Sequence, residues 1–181
     1  MASDALFAEL RRSVDGEVYA DRISRALYAT DASPYQIEPV AVVVPRTLDA
    51  VRATLAIARA HGVPIVARGG ATSLAGQTVG QAIQLDFSKY LNRIVELNAA
   101  AGWVRVQPGI VLDHLNGELA PHGLTFAPDV SPSNRATIGG MIANNSSGAY
   151  SLRYGKTIDH VLELRVLLSD GSETTLRPLA A

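Results

Sequence analysis

One stretch of the sequence decides the fold: Pro64-Ile65-Val66-Ala67-Arg68-Gly69-Gly70-Ala71-Thr72-Ser73-Leu74-Ala75-Gly76-Gln77. It opens with a short apolar run typical of a buried strand, and its glycines predict a tight turn at the end of that strand. Successive backbone N–H groups around Gly69-Gly70 can converge on one anion, because glycine leaves no side chain in the way. Thr72-Ser73 adds hydroxyl donors, and Arg68 adds a permanent positive charge. The turn therefore favours a diphosphate ligand, although a tight β-turn between two core strands has the same composition.

The residues before this stretch predict a β-α-β unit. Residues 40–44 form a continuous apolar run closed by Pro45, which is typical of a strand covered on both faces. Thr47 can cap a helix that follows, and His61-Gly62 is a stop signal for it. The strand at 64–67 comes next, so we expect a right-handed crossover connection.

Downstream of the glycine turn the pattern changes to a meander. Strand-like segments occupy 82–86, 93–97 and 103–107, and the last two alternate apolar with polar residues. Helical spacing returns over 111–119, and a strand followed by a hairpin is predicted over 161–176. The sequence therefore predicts an α+β domain of two small sheets with few helices.

The N-terminal part has a different pattern. Residues 3–14 carry apolar side chains at helical spacing, and a second polar-apolar segment runs over 17–28. We therefore predict an N-terminal helical leader over 1–36 that packs on a ligand-binding domain over 37–181.

Composition and charge exclude several kinds of function. Of the 181 residues, 48% are hydrophobic and 18% are charged, and the formal net charge is −1. Without a basic patch, nucleic acid is not the expected partner. Because there are no cysteines and the histidines lack metal-ligand spacing, neither an iron–sulfur cluster nor another metal site is predicted. No apolar run approaches the roughly 20 residues that span a bilayer, and the start lacks signal-peptide features, so we expect a cytoplasmic protein.

A second polar, glycine-rich segment lies over 126–148. Long loops inside compact domains are usually functional, and this one is dominated by Ser, Asn, Gly and Pro. Residues 137–144 predict one short helix whose glycines let a ligand lie against its backbone. The uncharged side chains of 144–147 suit a polar but uncharged ligand body. The dinucleotide fingerprint G-x-G-x-x-G and the nucleophile elbow G-x-S-x-G are both absent.

Together these segments resemble the FAD-binding domain of the vanillyl-alcohol oxidase and p-cresol methylhydroxylase family of flavoproteins. The resemblance runs from about Pro39 to Leu176. It rests on ordered motifs, which are Val44-Pro45-Arg46-Thr47, Arg68-Gly69-Gly70 through Gly76, Pro128-Asp129 with Ser131, Thr137-Ile138-Gly139-Gly140, Asn144 through Gly148, and Tyr154-Gly155 leading to Val161. It implies two small α/β subdomains with the cofactor between them.

Two further segments are similar to a subfamily, the D-lactate or D-2-hydroxyacid dehydrogenase-like group of large FAD and iron–sulfur enzymes. They are 28–33 and 133–137. The resemblance implies that the intact protein oxidises a D-2-hydroxy acid such as D-lactate by hydride transfer to flavin N5. Electrons would then pass to an iron–sulfur domain, a quinone or another acceptor.

The resemblance also implies which residues bind FAD. The backbone of 68–73 would hold the diphosphate, and a Cβ atom at Gly69 or Gly70 is expected to enter the diphosphate's space. Since Ala71 stands where relatives with covalent flavin have histidine, non-covalent FAD is implied. The full set of implied cofactor-binding residues is Arg68, Gly69, Gly70, Ala71, Thr72, Ser73, Gly76, Pro128, Asp129, Ser131, Thr137, Ile138, Gly139, Gly140, Asn144, Gly148 and Val161.

Family members continue beyond the matched stretch. We therefore expect a C-terminally truncated fragment that is inactive alone, with the catalytic base and any iron–sulfur ligands in the missing part. The intact protein could also attach peripherally to the inner face of a membrane. Two alternatives stay open, an FAD-binding electron-transfer module that acts only with a partner, and an α+β domain with glycine turns and no ligand.

Overall fold

The computed structural model describes residues 4–178. In chain order its helices and strands are α1 (Asp4–Ser13), β1 (Gly16–Tyr19), α2 (Arg22–Leu27), β2 (Ala41–Pro45), α3 (Leu48–Ala60), β3 (Ile65–Arg68), β4 (Ile83–Asp86), β5 (Ile94–Asn98), β6 (Trp103–Val106), α4 (Leu112–Leu119), α5 (Ile138–Asn144), α6 (Ser151–Tyr154), β7 (Leu164–Leu167) and β8 (Glu173–Leu176). Short 3-10 turns cover Ala120–His122 and Thr157–His160. No helix within 4–178 is both long enough and apolar enough to cross a lipid bilayer.

A four-stranded sheet in the order β1-β2-β4-β3 forms the first subdomain. Strands β2, β4 and β3 are parallel, and β1 runs antiparallel to β2 at the edge. Every residue of β2 and β4 is buried, which is why residues 41–44 form an unbroken apolar run. The two strands of the predicted β-α-β unit both exist but do not pair, because β4 lies between them.

Helices α1 and α3 supply the first subdomain's core. Leu6 and Leu10 of α1 are buried with Val51 and Ile57 of α3 and with the strands. Helix α3 begins at the predicted cap, where the Thr47 hydroxyl accepts a hydrogen bond from the Ala50 N–H at 3.1 Å. The predicted leader thus contributes a strand and a buried helix face to this subdomain, and the boundary at residue 36 stays a prediction.

The second subdomain has its own core within the described residues. The β5-β6 hairpin packs on α4 and α5, and the buried side chains include Leu115, Leu119, Ile138 and Met141. The sequence predicted two sheets, and the described residues form three, because β7 and β8 pair only with each other. An ion pair between Arg52 of α3 and Glu173 of β8, 2.5 Å long, ties this last hairpin to the first subdomain.

A carboxylate cluster joins the edge strand to the chain that follows β4. Glu17 accepts hydrogen bonds from the hydroxyls of Tyr19 and Tyr90 and pairs with Lys89 at 2.6 Å. The Lys89 bond, followed by the two tyrosine bonds, lowers the pKa of Glu17 from 4.5 to about 2. The charged form of Glu17 is therefore favoured in the folded protein.

We expect Glu17→Gln to flatten the acid limb of the stability profile. A carboxyl whose pKa is lowered by folding stabilises the protein above its unfolded pKa, and this contribution is lost as the pH falls from about 5 towards 2. Urea unfolding midpoints measured across that range should fall less steeply for Glu17→Gln than for the wild type. The exposed Glu118, without an ion pair among the described residues, provides the control Glu118→Gln. Parallel profiles for Glu17→Gln and wild type would contradict the expectation.

Candidate functional site

The loop after β3 carries unpartnered backbone donors. The N–H groups of Gly69, Gly70, Ala71, Thr72 and Ser73 donate no hydrogen bond to any group within residues 4–178. Ala71 has a left-handed backbone with a φ of 53°, which is uncommon for a residue with a Cβ atom. A run of free amides around a left-handed residue is typical of an anion-binding concavity. We name residues 69–78 the cradle loop.

The cradle loop lies directly against the second glycine-rich segment. An added Cβ atom at Gly69 would lie 2.1 Å from the Thr137 Oγ1 atom, and one at Gly70 would lie 2.1 Å from the Arg135 carbonyl oxygen. A side chain at either position would collide with the facing protein segment, so the contact between the loops itself requires these glycines. The expected collision with the diphosphate stays a prediction. The two glycine-rich loops are therefore in direct contact with each other.

Polar contacts continue along the line where the two loops meet. The Gln77 Nε2 amide donates to the Asn144 Oδ1 atom at 2.9 Å, and the Asn144 Nδ2 amide donates to the Gly140 carbonyl at 3.0 Å. Gln77 and Asn144 are both exposed to solvent. This bond connects the far end of the cradle loop to the C-terminal end of α5.

Helix α5 forms a wall beside the contact between the two loops. The Thr137 hydroxyl caps it by accepting from the Gly140 N–H at 3.4 Å. The Ile138 and Gly139 N–H groups donate to the carbonyls of Ile110 and Pro108 at 2.9 and 2.8 Å. These amides are already satisfied, so α5 offers a close, small-residue surface rather than free donors.

The remaining predicted residues are tied to the end of this wall. An added Cβ atom at Gly148 would lie 1.4 Å from the Asp129 carbonyl oxygen, so residues 128–131 pack against the chain after α5. Pro128 is buried, whereas Asp129 and Ser131 are exposed. Val161 follows a 3-10 turn whose buried Thr157 donates through Oγ1 to the Ser146 carbonyl at 2.7 Å.

Arg68 has a different role from the one predicted. Its guanidinium donates to the carbonyls of Tyr28 and Thr30 at 3.1 and 2.9 Å and to the Gln84 side-chain oxygen at 3.0 Å. It also lies over the Tyr28 ring, and burial lowers the pKa of Arg68. Its charge is directed at the protein's own acceptors, so Arg68 is a structural anchor rather than an outward-facing cation.

Sequence reasoning gave no role to residues 28–36, which lie against the cradle loop. The Ala32 N–H donates to the Ala71 carbonyl at 3.1 Å, and the Asp31 carboxylate accepts from the Thr78 hydroxyl at 3.0 Å. An added Cβ atom at Gly76 would lie 2.6 Å from the Tyr35 ring. The motif at 28–33 was visible in the sequence as a subfamily similarity, but no local pattern indicated what it contacts.

One cleft lies apart from these loops. It measures about 420 Å³ and is lined by Asn92, Arg93, Ile94, Ile110, His114 and Glu118, none of which belongs to the predicted site. Within the described part of the chain, no three His, Asp or Glu side chains come together in a way that could hold a metal ion.

The sequence and fold can be compared with known proteins. A family described as FAD binding domain matches residues 39–177. This chain belongs to that family. The predicted family and the predicted FAD cofactor are thereby confirmed, and the free amides of the cradle loop fit a cofactor that contains a diphosphate.

Individual relatives agree with this assignment. The chain is 45% identical over 167 residues to D-2-hydroxyglutarate dehydrogenase of Pseudomonas putida, a match that covers 91% of this chain and 17% of that protein. It is 39% identical over 151 residues to glycolate oxidase subunit GlcD of Bacillus subtilis, covering 81% of this chain and 32% of that one. This FAD-binding domain thus spans less than a third of either relative's length.

A solved structure shows the same fold. Substrate-bound p-cresol methylhydroxylase superposes with a TM-score of 0.78 at 18% identity, covering 95% of this chain and 35% of that chain. The predicted α+β fold with two small subdomains is confirmed.

We expect Gly70→Ala to destabilise the domain and abolish FAD retention. The facing Arg135 carbonyl is backbone and cannot rotate away, so the added methyl forces the loops apart at a cost of about 1–3 kcal/mol in the free energy of unfolding. Gly117 lies inside α4 with open space around its Cα atom. Gly117→Ala is the matched control and should stabilise by about 0.5–1 kcal/mol. Urea unfolding measures both, and equal stability of Gly70→Ala and wild type would contradict contact between the loops.

Arg68→Met should lower the free energy of unfolding by about 2 kcal/mol or more, because it leaves the Thr30 carbonyl and the Gln84 side-chain oxygen without the guanidinium donor. The exposed Arg11 of α1 supplies the control Arg11→Met, with an expected change within about 0.5 kcal/mol. Thermal and urea unfolding provide the comparison. Wild-type stability in Arg68→Met would show that the anchor is dispensable.

Proposed function

We propose that the complete protein oxidises a D-2-hydroxy acid and that this chain supplies the site for its FAD. The observation that carries the proposal is the row of free amides over 69–73, located where the two glycine-rich loops touch. The names of both relatives support the substrate class, since 2-hydroxyglutarate and glycolate are both 2-hydroxycarboxylates.

Each predicted residue has a place in the proposed site. The amides of 69–73 donate to the diphosphate, Arg68 anchors the start of the cradle loop, and Ser73 and Gly76 shape its turn. Thr137, Ile138, Gly139 and Gly140 give the small-residue wall along the diphosphate and ribityl region. Pro128, Asp129 and Ser131 line the flavin side, Asn144 and Gly148 complete the wall, and Val161 meets the adenine end through its backbone.

The attachment of the cofactor is proposed to be non-covalent. Ala71 presents only a methyl group at the position between the glycines and the hydroxyls, and alanine has no atom that can bond to a flavin. When bound, FAD supplies a hydride acceptor at flavin N5. The residues of this chain hold and orient it, and the group that removes the substrate's hydroxyl proton is assigned to no residue of this chain.

Several wider features belong to the same proposal. The chain divides into a leader over 1–36 and an FAD-binding domain over 37–181. The protein is cytoplasmic and can contact the inner face of a membrane peripherally. Its electron acceptor is a quinone, an iron–sulfur domain or another carrier. An iron–sulfur cluster would require ligands outside this chain, because it contains no cysteine.

A second candidate function is an FAD-binding electron-transfer module without substrate oxidation of its own. One observation favours it: a relative that this chain matches is named as a subunit, the glycolate oxidase subunit GlcD of Bacillus subtilis. In that case reduction of the flavin requires a second polypeptide.

The proposal predicts retention of FAD in preference to FMN. After incubation and gel filtration, the visible flavin spectrum should remain with FAD and be weaker with FMN, since FMN lacks the second phosphate and the adenosine. Preferential retention of FMN would count against the diphosphate cradle.

The substrate class requires the full-length polypeptide. Anaerobic addition of D-2-hydroxyglutarate or D-lactate should bleach the oxidised flavin band, whereas the L enantiomers serve as controls and should not. Bleaching only after a second polypeptide is added would favour the electron-transfer module instead.

A further inference from the structure

The cradle loop lacks a cation of its own. Its free amides are neutral dipoles, and Arg68 is turned towards the carbonyls of Tyr28 and Thr30. A diphosphate brings negative charge into the crevice, and phosphate groups in proteins are commonly met by arginine, whose planar fork can bind two oxygens at once. The charge of a diphosphate at 69–73 would therefore be met by no cation of the cradle loop itself.

Arg135 lies in the right place. Its carbonyl oxygen faces Gly70, at 2.1 Å from the position of an added Cβ atom, so its backbone is in contact with the cradle loop. Its own N–H donates to the Pro132 carbonyl at 2.8 Å, which holds the residue in a turn. Thr137, two residues on, contacts Gly69. The starting point of the Arg135 side chain is thus fixed at the junction of the two loops.

The Arg135 guanidinium is uncommitted. It is exposed, and it forms no hydrogen bond, ion pair or ring contact with any group within residues 4–178. Two acidic residues belong to the surroundings of this turn, Asp113, whose N–H donates to the Ser133 carbonyl at 3.2 Å, and Asp129. Neither pairs with Arg135. An arginine with no partner among the residues that the structure describes, beside a site for a doubly charged ligand, is free to bind that ligand.

We infer that Arg135 is a further cofactor-binding residue, whose guanidinium binds the diphosphate from the second loop while the amides of 69–73 bind it from the first. This inference rests on the proposed function. The two arginines then have different roles: Arg68 fixes the shape of the cradle loop, and Arg135 supplies the positive charge. This assignment also gives a role to the Arg135 side chain, in addition to the contact of the Arg135 backbone with the cradle loop.

The test compares ligands that contain different parts of FAD, using the 181-residue chain. FAD binding is followed by quenching of flavin fluorescence, and ADP and riboflavin are titrated as competitors. ADP contains the diphosphate without the flavin, and riboflavin contains the flavin without any phosphate. In Arg135→Gln, the dissociation constants of FAD and ADP should rise about tenfold or more, the size expected for a lost charge-assisted hydrogen bond. That of riboflavin should not change.

Salt and a conservative replacement sharpen the comparison. Added NaCl should weaken FAD binding to the wild type more steeply than to Arg135→Gln, because a screened charge pair is then absent from the variant. Arg135→Lys should recover part of the ADP affinity. Arg12→Gln removes the same charge from the exposed face of α1, which belongs to neither loop, and should behave as wild type. Thermal unfolding should be unchanged in both glutamine variants.

Each alternative result has a distinct meaning. Unchanged ADP affinity in Arg135→Gln overturns the inference and leaves the proposed FAD site intact. Equal loss of ADP and riboflavin affinity also overturns it, since that pattern indicates a change of loop shape rather than lost charge. Wild-type protein that binds neither FAD nor ADP overturns the proposed site and this inference together.

Discussion

The close approach of two backbones at Gly69 and Gly70 is the constraint on which the site depends. At both positions the facing segment leaves no room for a single carbon atom. Each loop belongs to a subdomain with its own core, so this contact sets how the sheet of β1–β4 faces the second subdomain. The two subdomains are therefore held in contact at glycine, and any side chain at these positions would push the two loops apart.

Behind the cradle loop, partly buried polar contacts surround Arg68. Arg68, Gln84 and the carbonyls of 28–30 form a network, next to Tyr28, whose hydroxyl donates to Asp86 at 2.8 Å. Burial and this hydrogen bond raise the pKa of Tyr28. Directional bonds specify a loop's position better than apolar contacts, which tolerate sliding. The free amides in front can therefore remain unpaired without collapsing onto neighbouring carbonyls.

Most helices and strands could be predicted from the sequence, because apolar periodicity and helix caps depend on residues that are close together in the chain. Thr47 caps α3 as predicted, and the short helix predicted over 137–144 is α5. Strand order was not predictable in this way, since the insertion of β4 between β2 and β3 depends on residues far apart in sequence. The same limit applies to Arg68. A permanent charge beside a glycine turn favours an anion site, and only the folded chain shows that residues 28–30 reach it first.

Ala71 shows how the cradle loop is prepared for binding. A φ of 53° is easily adopted by glycine, yet the chain has alanine there, held by the bond from the Ala32 amide. With glycine, this position would have many accessible conformations. An incoming ligand would then have to restrict the backbone to one of them. With alanine, the backbone loses this conformational freedom when the polypeptide folds, so less conformational entropy is lost when the ligand binds.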